Sequence, residues 1–165
     1  MSLAPWLGPW LAWLERTPLA LLLRQHPWLY PLVEIGHILG FVVLVGAAAM
    51  FDMRLLGVSP GISVRALAGH LLPWARGGLA LAAPTGVLLF LTDAAAIASN
   101  PAFQVKMGLI VLAILNTVVF HRRTARSIDA WDTNRPTPLG AKAAAICSLV
   151  LWAGVVAGGR LIAYV

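Results

Sequence analysis

Apolar residues fall along this chain in four long blocks, each closed by polar or turn-forming residues. From Tyr30 to Phe51 the only strongly polar side chains are Glu34 and His37. Residues 77–92 carry no charge until Asp93. The amphipathic stretch before them, with His70, Pro73 and Arg76, keeps helical spacing, so one long helix is predicted over 64–91, kinked at Pro73. A third block covers 103–121, with Lys106 near its start and His121 at its end, and a fourth covers 141–163 with Arg160 close to its finish. About 20 apolar residues in a helix cross the roughly 30 Å of bilayer hydrocarbon. The pattern therefore predicts an all-α, integral membrane four-helix bundle forming a single membrane domain over 1–165, with crossings at about 30–51, 64–91, 103–121 and 141–163. Between the blocks, Asp52 and Arg54 followed by Gly57, Ser59, Pro60 and Gly61 read as a turn-rich loop, as do Asp93–Gln104 around Asn100-Pro101 and the polar stretch 122–142.

Residues 2–24 have a different pattern. Trp6, Trp10 and Trp13 share one helical face, Pro5 and Pro9 fit a first turn, and Glu15 and Arg16 make a crossing costly. Indole rings favour the headgroup level, so an N-terminal Trp-rich interfacial helix or a broken hairpin is expected, with a fifth crossing through 2–24 as the alternative. Residues 27–30 (Pro-Trp-Leu-Tyr) are an aromatic anchor that includes no role for the adjacent His26. No basic leader precedes the first apolar stretch, so a signal peptide is not expected.

Composition agrees. Of 165 residues, 60% are hydrophobic and 11% charged, against about a quarter charged in soluble domains, so the lipid bilayer is the expected solvent. The net charge of +6 would suggest nucleic acid in a soluble protein. Here the cations flank apolar runs, and no nucleic acid partner is expected. Arg54 and Arg65 flank the first loop, and Arg122, Arg123, Arg126, Arg135 and Lys142 lie in or beside the third. The positive-inside rule then puts these loops in the cytoplasm and both termini outside, in a bacterial inner membrane. The single cysteine, Cys147, excludes an internal disulfide and cysteine-cluster metal sites, and reads as a packing residue.

Ionisable groups within spans are costly and are functional candidates: Glu34, His37, His70, Arg76, Lys106, His121 and Arg160. Three histidines on three helices direct attention to metal or haem, since neutral imidazole ligates both. At about 1.5 Å per residue, His37 lies roughly 10 Å below the outer face. His70 and His121 are about level near the inner face, roughly 15 to 20 Å further along the normal. His70 with His121 fits a bis-His pair, while His37 fits a single axial ligand. Each has a plainer reading: His121 beside Arg122 and Arg123 as an interfacial residue, His70 as a water-facing one, and His37 bonded to Glu34 or to a backbone carbonyl as a helix staple. Glu34 and Arg160 fit an ion pair. Arg160, Arg76 or Lys106 fits a haem propionate equally. Met50 and Met53 beside Asp52 suggest Cu(I) handling with His37, although the chain has only four methionines.

The segment VEIGHILGFVVLVGAAAMFDMRLLG, with His37, Gly40, Gly46 and Arg54-Leu55, resembles the first helix of a superfamily that includes HemJ-type protoporphyrinogen oxidases and the membrane domain of copper-resistance protein D. WARGGLALAAPTGVLLF, with Thr85-Gly86, resembles their second helix. KMGLIVLAILNTVVFH, opening with Lys106 and closing with His121, resembles their third. The likeness covers roughly 30–123, and the chain resembles an uncharacterised group of small bacterial four-helix membrane proteins more closely still. The resemblance implies haem b with His37 as ligand. It departs from HemJ in the Trp-rich N-terminus, Glu34 and His70, and it lacks the soluble domain that often accompanies copper-resistance protein D.

The expectation is a small b-type haem-binding membrane protein for electron transfer or redox chemistry on a membrane-soluble or porphyrin substrate, a haem-dependent oxidoreductase where it is an enzyme, with a redox partner or membrane complex. The alternatives are a copper-handling membrane protein, or a non-catalytic accessory subunit whose small faces (Gly36 and Gly40; Gly154 and Gly158) serve a homo-oligomer.

Overall fold

A computed structural model describes residues 7–165. They form helices α1 (Leu7–Glu15), α2 (Pro18–Gln25), α3 (Leu29–Leu56), α4 (Val64–Thr92), α5 (Ala94–Ser99), α6 (Pro101–Val119) and α7 (Leu139–Leu161), with no strand among the described residues. Four helices are long and apolar enough to cross a membrane: α3, α4, α6 with its extension to Ala130, and α7. Large apolar side chains such as Leu32, Ile38, Leu39 and Val42 cover their outer faces, as lipid-facing helices require.

Local chemistry sets the helix ends. Gly57, at φ 106°, closes α3 in the left-handed conformation that favours glycine. Ser63 caps α4 by accepting from the Ala66 N–H at 3.0 Å. Asn100 caps α6 through Ala102 and Phe103, with Pro101 in the first turn. Helix α4 continues through both Pro73 and Pro84.

The two N-terminal helices have nine and eight residues. Each is about 14 Å long or less, too short to cross. The break falls at Arg16 and Thr17, where the Thr17 side chain caps α2. The Arg24 guanidinium donates to the Glu15 carbonyl. The Glu15 carboxylate accepts from the Ala95 N–H at 2.8 Å, which ties α1 to α5. Trp10 and Trp13 meet edge to face at 6.4 Å. Pro5 and Trp6 lie outside the described residues.

In the bundle α3 packs against both α4 and α7, and α7 packs against α6, while α4 and α6 make no close backbone approach among the described residues. The α3–α4 contact is backbone on backbone. A Cβ on Gly40 would stand 2.7 Å from the Ala82 nitrogen, and one on Gly78 would stand 2.6 Å from the Gly40 oxygen. Gly154 and Gly158 receive Leu109 and Lys106 of α6. The small faces read as oligomerisation surfaces are thus filled within the chain at Gly40, Gly154 and Gly158.

The buried cluster of Ala47, Phe51, Leu55, Val64, Leu71, Phe120, Trp131, Ala141 and Ala145 lies at the end bearing the arginine-rich loops, here the basic end. The polar stretch 122–142 is partly built into it. A π-helical turn (Phe120–Thr124) and a 3₁₀ turn (Ala125–Ala130) extend α6, and Trp131 plugs the core with its indole N–H on Ser127 Oγ at 3.1 Å.

Two placements differ from the sequence reading. The first span runs five residues past Phe51, so Asp52 and Arg54 are buried helical residues, not loop residues. The apolar period continues through them, which the glycines and proline beyond Gly57 had masked. Cys147, expected in packing, is on an exposed flank of α7.

Candidate functional site

One stripe of α3 faces the bundle interior: His37, Phe41, Leu44, Ala48 and Asp52, spaced four, three, four and four apart. At its outer end, the Gly40–Gly78 contact brings α4 close enough for the His37 Nδ1–H to donate to the Ala82 carbonyl at 2.8 Å, with Thr85 Oγ1 at 3.3 Å. A carbonyl has no proton to give, so Nδ1 carries the hydrogen and the neutral ring holds its lone pair on Nε2. The Thr85 hydroxyl is held in turn by the Leu81 carbonyl at 2.6 Å. The imidazole lies over Gly86, where a Cβ would stand 2.9 Å from His37 Cε1. Lys106 of α6 runs along α7, its Nζ 3.5 Å from where a Cβ on Gly159 would be.

At the other end of the stripe, fifteen residues and about 22 Å along the helix, the four long helices enclose a cavity of about 150 Å³ lined by Asp52, Asn116, Thr117, His121 and Ser148 among apolar residues. Asp52 is buried, and its Oδ2 has no hydrogen-bond partner. Asn116 donates to the Ala144 carbonyl at 2.9 Å, fixing α6 to α7. His121 Nδ1 is 2.9 Å from the Thr117 carbonyl on the π-helical turn. The cavity has room for several waters and is smaller than the roughly 300 Å³ at which small-molecule sites begin. The sequence reading missed Asp52 because it lay between an apolar run and turn residues. The continued period from His37 was the signal that places it.

The expected site residues therefore divide. His37 and Lys106 are half-buried, in the half of the bundle away from the basic end. His121 lines the inner cavity at its exposed edge. His70 is exposed and does not line that cavity, although Leu71 and Leu72 do, so the His70–His121 pair does not converge there. Glu34 and Arg76 are exposed on their helices. Arg160 turns to Tyr164, donating to its hydroxyl at 2.6 Å and lying 5.0 Å over its ring. No Glu34–Arg160 bridge forms, and the one ion pair between side chains among the described residues is Arg65–Asp129. Met50 and Met53 are exposed, with Met50 about 20 Å along α3 from His37, so the three do not make one copper site. No group of three or more His, Cys, Asp or Glu able to hold a metal occurs among the described residues. His37 is hydrogen-bonded as its plainer reading expected, to a backbone carbonyl, and that bond also orients a ligating imidazole.

Four apolar helices, packed in alternating directions around this interior histidine and carboxylate, define a small multi-pass membrane bundle. The chain belongs to a family of unknown function, DUF6644, whose model matches residues 11–165. No curated protein and no solved structure matches it.

Proposed function

We propose that this protein binds one b-type haem through His37 and serves electron transfer or redox chemistry on a membrane-soluble or porphyrin substrate. The observation that carries the reading is the His37 Nδ1–H bond to the Ala82 carbonyl at 2.8 Å. Ligating histidines are commonly held this way, with one ring nitrogen donating to a carbonyl so that the other offers its lone pair. The residues present fit a single axial ligand. Gly86 leaves the imidazole its place, and Lys106 is the interior cation available for a carboxylate. The cavity beside Asp52 is small, so the haem would enter on the side of the bundle where α4 and α6 make no close backbone approach. A bound haem supplies one-electron chemistry at membrane depth. The chain's own part is to fix the tautomer of His37, orient its ring and exclude water. The resemblance to HemJ-type proteins supports the same ligand. With the arginine-rich loops in the cytoplasm of a bacterium, both termini face outward and His37 lies in the outer half of the inner membrane.

The test is an absorption spectrum, oxidised and then dithionite-reduced, of protein purified from haem-replete cells, beside His37→Ala and Gly86→Ala. A Soret band that sharpens on reduction is expected, lost in His37→Ala and weakened in Gly86→Ala, where the histidine remains but its ring is displaced. Circular dichroism verifies that both variants keep their helices. Colourless wild type, or a band unchanged in His37→Ala, ends the proposal.

A further inference from the structure

A second pocket opens at the basic end, about 280 Å³ in volume, between the α3–α4 loop and the segment leading into α7. Its wall includes three cations, Arg54, Arg135 and Lys142, and no carboxylate. Arg54 is only 3% exposed. Its Nε donates to the Ile62 carbonyl at 2.6 Å, and its Nη2 donates to those of Pro60 at 3.0 Å and Asp132 at 2.8 Å. Those bonds staple the loops together. They leave Nη1, which is buried and has no partner.

No carboxylate makes a direct ion pair with Arg54 among the described residues. The Asp132 carboxylate is occupied by the Ser63 hydroxyl at 2.8 Å and the Arg65 N–H at 2.8 Å, and Asp129 pairs with Arg65. Asp52, two positions away, projects from the opposite side of α3 into the inner cavity. A buried guanidinium with neither counter-anion nor full hydrogen bonding is costly. Lys142 adds to the imbalance. It is in the first turn of α7, whose N-terminus has no side-chain cap, and a cation there opposes the helix dipole. An anion in the pocket would answer all three cations and the uncapped helix start.

We propose that this pocket binds a phosphate group, met by Lys142 and Arg135 with the buried Arg54 guanidinium in the wall behind them. Guanidinium and ammonium groups around an oxyanion give strong charge-assisted hydrogen bonds. The volume of about 280 Å³ has room for a phosphate group. Phosphate reaches such a place either as a phospholipid headgroup, since basic pockets at the membrane surface take anionic lipids, or as a soluble phosphate.

The experiment is a thermal melt of the full-length protein in neutral detergent, followed by tryptophan fluorescence at matched ionic strength. Inorganic phosphate is titrated in one arm, and phosphatidylglycerol against phosphatidylcholine in the other. Lys142→Gln is compared with Arg122→Gln, a basic change outside the pocket wall; both leave the loop staple of Arg54 in place. Stabilisation by phosphate or by phosphatidylglycerol is expected, with an apparent affinity about tenfold weaker in Lys142→Gln and unchanged in Arg122→Gln. Stabilisation by inorganic phosphate identifies a soluble ligand as sufficient, and stabilisation by phosphatidylglycerol alone identifies a lipid headgroup. No stabilisation in either arm, or equal loss in both variants, overturns the proposal.

Discussion

Replacing Gly40 by alanine tests whether α3 and α4 are held by direct backbone contact. The added Cβ would lie 2.7 Å from the Ala82 nitrogen and 2.8 Å from the Gly78 oxygen. At Gly78 the corresponding distances are 2.6 Å to both the Gly40 oxygen and the Leu44 nitrogen. Ordinary contact begins near 3.4 Å, so each substitution forces the helices apart by about 0.7 Å, and the opposing atoms are backbone that cannot turn aside. Overpacking of this kind costs about 1–3 kcal/mol, and the upper part of that range is expected here. Gly46 and Gly77 face open space, and alanine there should gain up to about 1 kcal/mol of helix propensity. Equilibrium unfolding in mixed micelles, followed by circular dichroism, measures the four variants together. The separation also stretches the bond from His37 to Ala82, so Gly40→Ala should lose whatever His37 binds. Stability of Gly40→Ala and Gly78→Ala equal to that of Gly46→Ala would refute the close contact.

Asp132 is held below the usual carboxylate range chiefly by the Arg65 backbone N–H and then by the Ser63 hydroxyl. A depressed acid contributes stability above its unfolded value, near pH 4, and loses it as pH falls through the folded value. Wild type should therefore melt above Asp132→Asn from neutral pH down to about pH 5, with the gap closing only below about pH 4; a gap that closes near pH 7 refutes this. Asp52→Asn replaces a buried carboxyl whose Oδ2 has no partner by a neutral amide and should raise stability by about 1 kcal/mol in the same assay; a fall refutes this. Trp131→Ala empties the plug at the basic end and should cost about 3–5 kcal/mol; retention of wild-type melting would show that the loop does not seal the core.

The four spans were legible because the bilayer imposes one requirement over about 20 residues at a time, and long apolar blocks satisfy it with little ambiguity. Where the first block ends was not. Asp52 and Arg54 look like loop residues locally, and their burial depends on a carboxylate facing an inter-helical cavity and a guanidinium meeting carbonyls from two loops. Those are tertiary facts with no local signature. Among the candidate residues, His37 and Lys106 turn inward, as apolar neighbours favour. Glu34, His70, Arg76 and Arg160 are exposed, a difference not legible in the sequence because one residue of rotation moves a side chain by 100°.

The two ends of the bundle are built differently. At the basic end, phenylalanine, leucine and tryptophan from α3, α4, the α6–α7 connection and the π-helical turn make a core like that of a soluble protein. Phe51 and Phe120 meet edge to face at 5.9 Å. At the other end the links include the glycine contact of α3 with α4, Leu109 and Lys106 against Gly154 and Gly158, the stacked rings of Phe90 and Phe103 at 5.5 Å, and Asn100 donating to the Ile162 and Val165 carbonyls at 3.1 and 2.5 Å. Helices α4 and α6 make no close backbone approach among the described residues, and the Phe90–Phe103 stack bridges them. His37 thus lies on the stripe of α3 at the end where α4 and α6 make no close backbone approach among the described residues, whereas Asp52 and its cavity lie at the packed end.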